Sequence, residues 1–320
     1  MTDSLIIRAR YLLDEHWQVL ENVAIRIVEG RIAEVDRADR VKGAPVRDLG
    51  DAILLPGLVN AHTHLELGFA RGKIAPTTDF VAWLRGLLRL IRSTVGDDAL
   101  VEAAVQKGLS ESHGVTLLGD VTRQPGVTRA AIGKAKHRPA VVSFGEVIAL
   151  GQLRQSAEER LSNALEQPAD GTSGLWTAVS PHAPYTVEEP VLRSCVAEAR
   201  RHGRRLCIHA AETEAEVRFT QEGTGPLREY LEELELWDDR VPIPGCNPIE
   251  WLDRCGALGP DMLLAHCNYV SDSDIDRLAA TGTHVVYCPR THAAFGHAPH
   301  RFREMLARGV NVCLGTDSLA

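Results

Sequence analysis

Beyond residue 58 the apolar residues of this chain fall into short runs with a steady rhythm. The runs are VTLLGDVT (115–122), AVVSFGEVIAL (140–150), LWTAVSPHAPY (175–185), RLCIHAAET (205–213), MLLAHCNYV (262–270), THVVYCPR (283–290) and NVCLGTDS (311–318). Between them lie segments of helical spacing such as AEERLSNALEQ (157–167) and VLRSCVAEARRHG (191–203); the second closes on a glycine, a common helix C-terminus. An earlier run, ILLPGLV (53–59), has the composition of a strand covered on both faces, broken once by Pro56-Gly57. Near-continuous apolar runs fit parallel strands buried on both sides. Eight of them alternating with helices predict an α/β fold, a TIM-type (β/α)8 barrel over residues 58–320. A doubly wound open sheet is the alternative, but no Gly-x-Gly-x-x-Gly follows the first strand.

Residues 1–57 carry a different period. Leu5, Ile6 and Ile7 open one strand; Val23, Ile25 and Ile27 alternate, Glu29-Gly30 turns the chain, and Ile32 with Val35 returns. That is a hairpin signature, and it predicts a small portion of a β-sandwich built from short antiparallel strands.

Polar residues cluster where the runs end. The first ends in His62 and His64, the fourth in His182, the fifth in His209 and Glu212, the sixth in His266, the seventh in Arg290 and His292, and the eighth in Asp317. Residues i and i+2 of a strand point to one side, so His62 and His64 converge while Thr63 turns away. In a barrel every strand's C-terminal end faces the same mouth, where active sites are built. A single histidine at a strand end is more often structural; ligand-type side chains on six of eight strands argue for a metal site.

Composition narrows the chemistry further. The chain has 320 residues and is 44% hydrophobic and 24% charged, with formal net charge -8 and pI about 5.9. An acidic balance without a block of Lys or Arg argues against a phosphate-tracking surface, so nucleic acid is not an expected partner. No apolar stretch approaches a membrane span, and the N-terminus lacks the apolar core of a signal peptide. The seven cysteines stand singly, without a C-x-x-C, which suits a reducing cytoplasm.

His62, His64, His209 and Asp317 form a set of three imidazoles and one carboxylate that suits one divalent ion, Zn²⁺ with Fe²⁺ as the alternative. Such an ion brings the pKa of a bound water towards neutrality. Glu212 could stand beside that water as a proton shuttle, or be a solvated loop acid like the Glu214 and Glu216 that follow. His266 could hydrogen-bond the attacking oxygen or the leaving group, or be an inert neighbour. A two-metal centre would need a bridging anion; no lysine follows Lys136, and Glu146 is the one bridging side chain in reach. Gly-x-Ser-x-Gly and a Walker loop are absent, and Cys267 fits a small buried hydrophobe better than a nucleophile.

The segments PGLVNAHTHLELG, SPHAPYT, CIHAAETEAE, LLAHCNYV and LGTDS, spread in order over residues 56–318, resemble the amidohydrolase superfamily in its branch of metal-dependent deaminases and chlorohydrolases. The resemblance implies that His62, His64, His209 and Asp317 are metal ligands, Glu212 the proton shuttle, His266 the histidine beside the reactive water and His182 a substrate contact. It implies hydrolytic deamination: hydroxide generated at the metal attacks an amino-bearing ring carbon, Glu212 carries a proton to the ring nitrogen, Asp317 takes part in the second transfer, and ammonia leaves. HTHLEL, FVAWLR (80–85) and CPRTHAAFGH (288–297) are most similar to aminofutalosine deaminase-like members, which act on a 6-aminopurine nucleoside. By that likeness Arg290, His292, Trp83 and Arg85 are candidates to bind substrate, although Trp83 also reads as part of a helix packed on the barrel. The long segment Thr213 to Asp261 is a candidate cover for the mouth. Members of the family normally continue beyond strand eight, so the resemblance implies a C-terminal part of the sandwich that is missing here and, for a protein truly ending at Ala320, an open sheet edge prone to aggregation. The expected partner is a small-molecule substrate, with no membrane, and a homodimer is left open. Amide or C–Cl hydrolysis on another ring is the competing enzyme reading. A barrel scaffold without catalysis is the third, and it would have no need of Glu212 beside four ligands.

Overall fold

A computed structural model describes residues 4–318 apart from 15, 17 and 168–171. The chain divides into two compact units, Met1–Leu58 and Val59–Ala320. In the first, β1 (Ser4–Leu13), β2 (Val19–Val28) and β3 (Arg31–Arg37) form an antiparallel meander. Glu29 and Gly30, with φ of 50° and 75°, make the turn that matches the twist of a two-residue hairpin. Two short strands, β4 (Val46–Asp48) and β5 (Ile53–Leu54), run parallel to β1 rather than antiparallel. Ile6, Ala24 and Val41 form the small core.

The second unit is a parallel eight-stranded sheet curled almost into a closed barrel. Its strands are β6 (Leu58–Thr63), β7 (Val115–Thr122), β8 (Ala140–Val147), β9 (Leu175–Pro181), β10 (Leu206–Ala210), β11 (Met262–His266), β12 (His284–Tyr287) and β13 (Val312–Leu314), each beside the next in chain order. A parallel bridge between Thr63 and Asp317 brings the last strand's exit to the first. Helices α1 (Phe80–Ser93) and α2 (Asp98–Ser110) precede β7, α3 (Pro125–Lys134) precedes β8, α4 (Ala157–Leu165) precedes β9 and α5 (Glu189–Arg201) precedes β10. Three helices, α6 (Glu214–Glu222), α7 (Pro226–Glu233) and α8 (Pro248–Arg254), separate β10 from β11; α9 (Asp272–Thr281) precedes β12, and α10 (Pro289–Phe295) and α11 (Phe302–Ala307) precede β13. The helix ends obey their sequence: Asp79 accepts the amides of Val81 and Ala82 at the start of α1, and Ser271 with Asp274 makes a capping box on α9.

The largest core cluster packs β9, β10 and β11 against α5, α8 and α9. A smaller one, Val121, Phe144, Ala178 and Cys207, comes from strands β7 to β10. One expectation fails at residues 53–59. The run is not a single strand covered on both faces: Pro56, which cannot donate a ladder bond, separates β5 from β6, and Ile53, Leu55, Leu58 and Val59 are 60%, 55%, 54% and 49% exposed. Burial on β6 begins only at Ala61.

β7 runs close beneath β6 at Gly119, where an added Cβ would lie 2.3 Å from the Ala61 carbonyl oxygen and 3.4 Å from the Phe144 ring. Gly119→Ala is therefore expected to lower stability by about 1–3 kcal/mol in urea unfolding. Gly126→Ala, on α3 with nothing within 4 Å, should leave it unchanged or slightly raised.

Candidate active site

The exit of β6 is fastened to the exit of β7 by two buried acids. Asp120 Oδ1 accepts the Leu65 amide at 2.9 Å. Glu66 accepts from Thr122 Oγ1 at 2.6 Å and from the amides of Arg123 and Gln124 at 2.9 and 3.2 Å. The chain between them is fixed, and with it the imidazoles of His62 and His64, whose centroids are 4.9 Å apart.

Four donor atoms meet at this point. His62 Nε2 and His64 Nε2 lie 3.4 and 3.5 Å from Asp317 Oδ1, and His64 Nε2 lies 3.2 Å from His209 Nε2. The outer atoms of these groups are engaged elsewhere. His209 Nδ1 donates to the His182 carbonyl at 2.8 Å, His62 Nδ1 faces the Cys207 thiol at 3.8 Å, and Thr291 Oγ1 donates to Asp317 Oδ2 at 2.8 Å. With Nδ1 of His209 protonated, its Nε2 presents a lone pair to the centre. His62 Nε2 is buried and has no hydrogen-bond partner among the described residues. Two imidazole nitrogens 3.2 Å apart require a proton or a cation between them. Ligands at about 2.0–2.2 Å from a tetrahedral ion lie roughly 3.3–3.6 Å from one another, close to the separations observed. The residues fit a divalent metal.

Without an ion the cluster holds a proton of its own. Burial opposes charging His62, but contact with Asp317 and Cys207 outweighs it and lifts the imidazole to about 10. The same contact keeps the Asp317 carboxyl well below its ordinary range despite burial. Burial and the positive His62 push His64 well down and His209 to about 4.

Glu212 and His266 adjoin this point: the ligand-type atoms of Glu212, His266 and Asp317 lie within 4.8 Å of one another, as do those of His62, His209 and His266. His266 Nε2 is 3.6 Å from Glu212 Oε1, and both side chains are almost fully buried. Burial, with Asp317 and Glu216 nearby, holds the Glu212 carboxyl well above its ordinary value, while burial holds His266 well below. Glu212 is thus no solvated loop acid, and neither is Glu216, which has no exposed surface. Glu216 accepts the amides of Ala211 and Glu212 at 2.9 and 2.8 Å and its own amide bonds Thr213 Oγ1. The Thr-x-x-Glu spacing before a helix was the readable sign of that cap.

The cavity over the centre has a volume of about 350 Å³. His64, His182, His209, Glu212, His266 and Asp317 line it, and an apolar wall comes from Phe80, Trp83, Leu84, Leu87 and Leu88 of α1 with Tyr230, Leu231, Leu234 and Leu236 from α7 and the turn after it. The long segment after Thr213 therefore does form part of the mouth. Trp83 serves both readings, since it also packs on Phe80 and Phe295. Three other candidates do not line this cavity, although Arg290 adjoins it. Arg85 forms a two-pronged ion pair with Glu233, His292 donates from Nε2 to the Ala298 carbonyl at 2.8 Å, and Arg290 lines a separate cleft that shares Trp83 and Asp317 with the cavity. Arg123, Arg160, Glu146 and Tyr185 do line the cavity; of these, the sequence drew attention to Glu146 alone, and as a bridging ligand.

Residues 53–320 match the amidohydrolase family model, and the chain belongs to that family. It is 30% identical over 312 residues to the 5'-deoxyadenosine deaminase of Methanopyrus kandleri, covering 95% of this chain and 67% of the relative. It is also 30% identical over 316 residues to the 5-methylthioadenosine/S-adenosylhomocysteine deaminase of Nitratidesulfovibrio vulgaris, covering 96% and 66%. The chain spans about two thirds of the length of these curated relatives. Among solved structures, the aminofutalosine deaminase of Helicobacter pylori superposes with a TM-score of 0.82 at 19% identity, over 98% of this chain and 77% of that one.

Two measurements probe the supports of the centre. Thr291→Val removes the bond that aims Asp317 and is expected to weaken metal retention on dialysis by about 10-fold or more, with unfolding unchanged to within about 1 kcal/mol. Asp120 is buried without a partner on Oδ2 among the described residues, and burial pushes its carboxyl up to about 8. The folded state thus keeps a proton that the unfolded chain releases near pH 4, so stability falls as pH rises between those values. Asp120→Asn should gain on the wild type across that window by up to about 1.4 kcal/mol per pH unit, read as urea midpoints at pH 5 and pH 8.

Proposed function

We propose that the protein is a metal-dependent hydrolase that deaminates a 6-aminopurine nucleoside altered at its 5′ end, of the aminofutalosine kind, with His62, His64, His209 and Asp317 holding one zinc ion. The observation that carries this reading is the meeting of those four donors beside the Glu212–His266 pair, in a cavity walled on one side by apolar side chains. The names of the 30% identical relatives, both deaminases of 5′-altered adenosines, point the same way. Bound there, the ion supplies a water acidic enough to react at neutral pH.

The chain's own residues then account for the proton movements. Hydrolysis adds water across the amino-bearing carbon and expels ammonia, so one proton from water must reach the ring nitrogen and another the leaving amine. Glu212, with a carboxyl held well above its ordinary range, accepts a proton readily and keeps it until the ring nitrogen takes it. His266 stays neutral and offers a hydrogen bond from Nε2, 3.6 Å from the Glu212 oxygen. Asp317, steadied by Thr291, stands where the second proton passes to the amine. Burial of all three excludes bulk water, which strengthens each interaction in turn.

The test is ammonia release by metal-loaded protein from aminofutalosine, 5′-deoxyadenosine, methylthioadenosine, S-adenosylhomocysteine, adenosine, guanine and cytosine. Release from a 5′-altered adenosine, lost on chelation, is the expected result. Glu212→Gln should lower turnover by about 10²–10⁴-fold with metal content unchanged. Silence across the panel with metal bound would redirect the assignment to amide or chloro-ring substrates.

A further inference from the structure

The cavity contains a carboxylate that the reaction above does not use. Glu146 sits near the end of β8 with its side chain 3% exposed, and it accepts no hydrogen bond among the described residues. Each of its oxygens faces a nitrogen across a gap. Oε1 is 3.9 Å from His182 Nε2, and Oε2 is 4.0 Å from Arg123 Nε. Both separations are too long for a hydrogen bond. The Arg123 guanidinium likewise donates no hydrogen bond among the described residues, and all three side chains line the cavity.

A buried carboxylate without donors is costly to keep, and burial pushes this one up to about 7; a ligand entering the cavity can supply the partners that the chain does not. A hydroxyl oxygen about 2.8 Å from each neighbour spans a gap of about 4 Å, donating to the carboxylate and accepting from the nitrogen. Here two such gaps flank the two oxygens of one carboxylate, the arrangement that two adjacent hydroxyls fill. His182 Nδ1 is occupied by Thr186 Oγ1 at 2.6 Å, which leaves Nε2 to face Glu146. Thr186 Oγ1 lies between His182 Nδ1 at 2.6 Å and the Ala183 carbonyl at 3.1 Å; with its proton given to Nδ1, the imidazole proton is on Nε2 and the second hydroxyl repeats the pattern of the first. A cationic ligand group would be opposed by Arg123 and by Arg160, whose charge bears on the same carboxylate. An anionic one would be opposed by Glu146 itself. A neutral polyol suits both.

We propose that Glu146, with Arg123 and His182, is the subsite that reads a vicinal diol, which in a nucleoside is the ribose 2′- and 3′-hydroxyl pair. The identification of the diol with ribose rests on the proposed function.

Binding of inosine, 2′-deoxyinosine and 3′-deoxyinosine to metal-loaded wild type, Glu146→Gln and Arg123→Gln tests this without turnover, by calorimetry, with thermal melts verifying that each variant is folded. Wild type should bind inosine on the order of 10- to 100-fold more tightly than either deoxy compound, and Glu146→Gln should abolish that preference while leaving the deoxy compounds' affinities nearly unchanged. Arg123→Gln should weaken inosine more than one of the two deoxy compounds. Equal loss for all three ligands in Glu146→Gln would place the carboxylate against the base or in a structural role and overturn the proposal, as would a wild type that binds inosine no better than its deoxy analogues, or not at all. A metal content of two ions per chain falling to one in Glu146→Gln would overturn it in favour of a second cation. Deamination that ignores the sugar hydroxyls sinks the diol subsite and leaves the proposed reaction standing. A diol preference without deamination of any nucleoside does the reverse.

Discussion

The His62 carbonyl accepts the amides of both Thr316 and Asp317, each at 3.0 Å, and through these bonds the eighth strand meets the first. Asn60 reinforces the junction, accepting the Thr316 amide at 3.0 Å and donating to its hydroxyl at 2.8 Å. Thr63 adds a bond to the Asp317 carbonyl across a sequence separation of 254. The Asp317 carboxylate can stand beside His62 and His64 only when every intervening strand has taken its place. The donor set is thus a readout of a completed barrel. An ion bound by groups so far apart in sequence favours the closed fold over the unfolded chain by mass action, and the same junction that assembles the chemistry ties down the ring.

The barrel was legible because parallel strands buried on both faces leave a plain mark, an apolar run ended by a turn, and seven such runs from residue 115 onward coincide with β7 to β13. The donor positions were legible for a related reason, since side chains at strand exits have nothing to do in a core. What was not legible depended on direction rather than position. Trp83 and Arg85 are two apart on a helix, and such residues do not share a face; α1 turns one towards the cavity and the other towards Glu233. Arg290 and His292 follow strand seven in sequence, but Pro289 at the first helical position starts α10 there, as proline does readily, so both stand on a helix, with Arg290 in a cleft beside Asp317 and Trp83. Ile53 to Val59 read as buried because composition does not reveal that two short strands of different sheets share one apolar run.

The electrostatics of the mouth divide between two adjoining sets of groups. The Asp317 carboxylate is shared between the imidazoles of His62 and His64, so negative charge is fixed where a cation belongs. Beside it, burial shifts both Glu212 and His266 towards their uncharged forms, although they are 3.6 Å apart. A carboxyl group with raised proton affinity takes a proton from water and yields it to a ring nitrogen more readily than an ordinary carboxylate, and a neutral imidazole beside it does not lock it into an ion pair. Glu216 fixes the backbone at this exit by accepting the amides of Ala211 and Glu212, while the Glu212 carboxyl group faces the cavity.

The strand exits are also where the backbone is most strained. Ala211, His266, Cys267 and Asp317 all have positive φ, at 51°, 75°, 51° and 56°, in a region that disfavours side chains by roughly 1–3 kcal/mol each. Neighbouring strands hold them there. Cys267 and Tyr269 donate their amides to Ala210 and Ala211, each at 3.0 Å, Asn268 Nδ2 donates to the Glu212 carbonyl at 3.0 Å, and His300 Nε2 donates to the His266 carbonyl at 2.8 Å. The bends of β10 and β11 are thereby knitted into one unit, and each bend swings a side chain off the strand line into the mouth. Glycine would adopt these angles without strain. At His266 and Asp317 it would also remove the imidazole and the carboxylate that the bend exists to aim, so the left-handed backbone is carried there by residues that resist it.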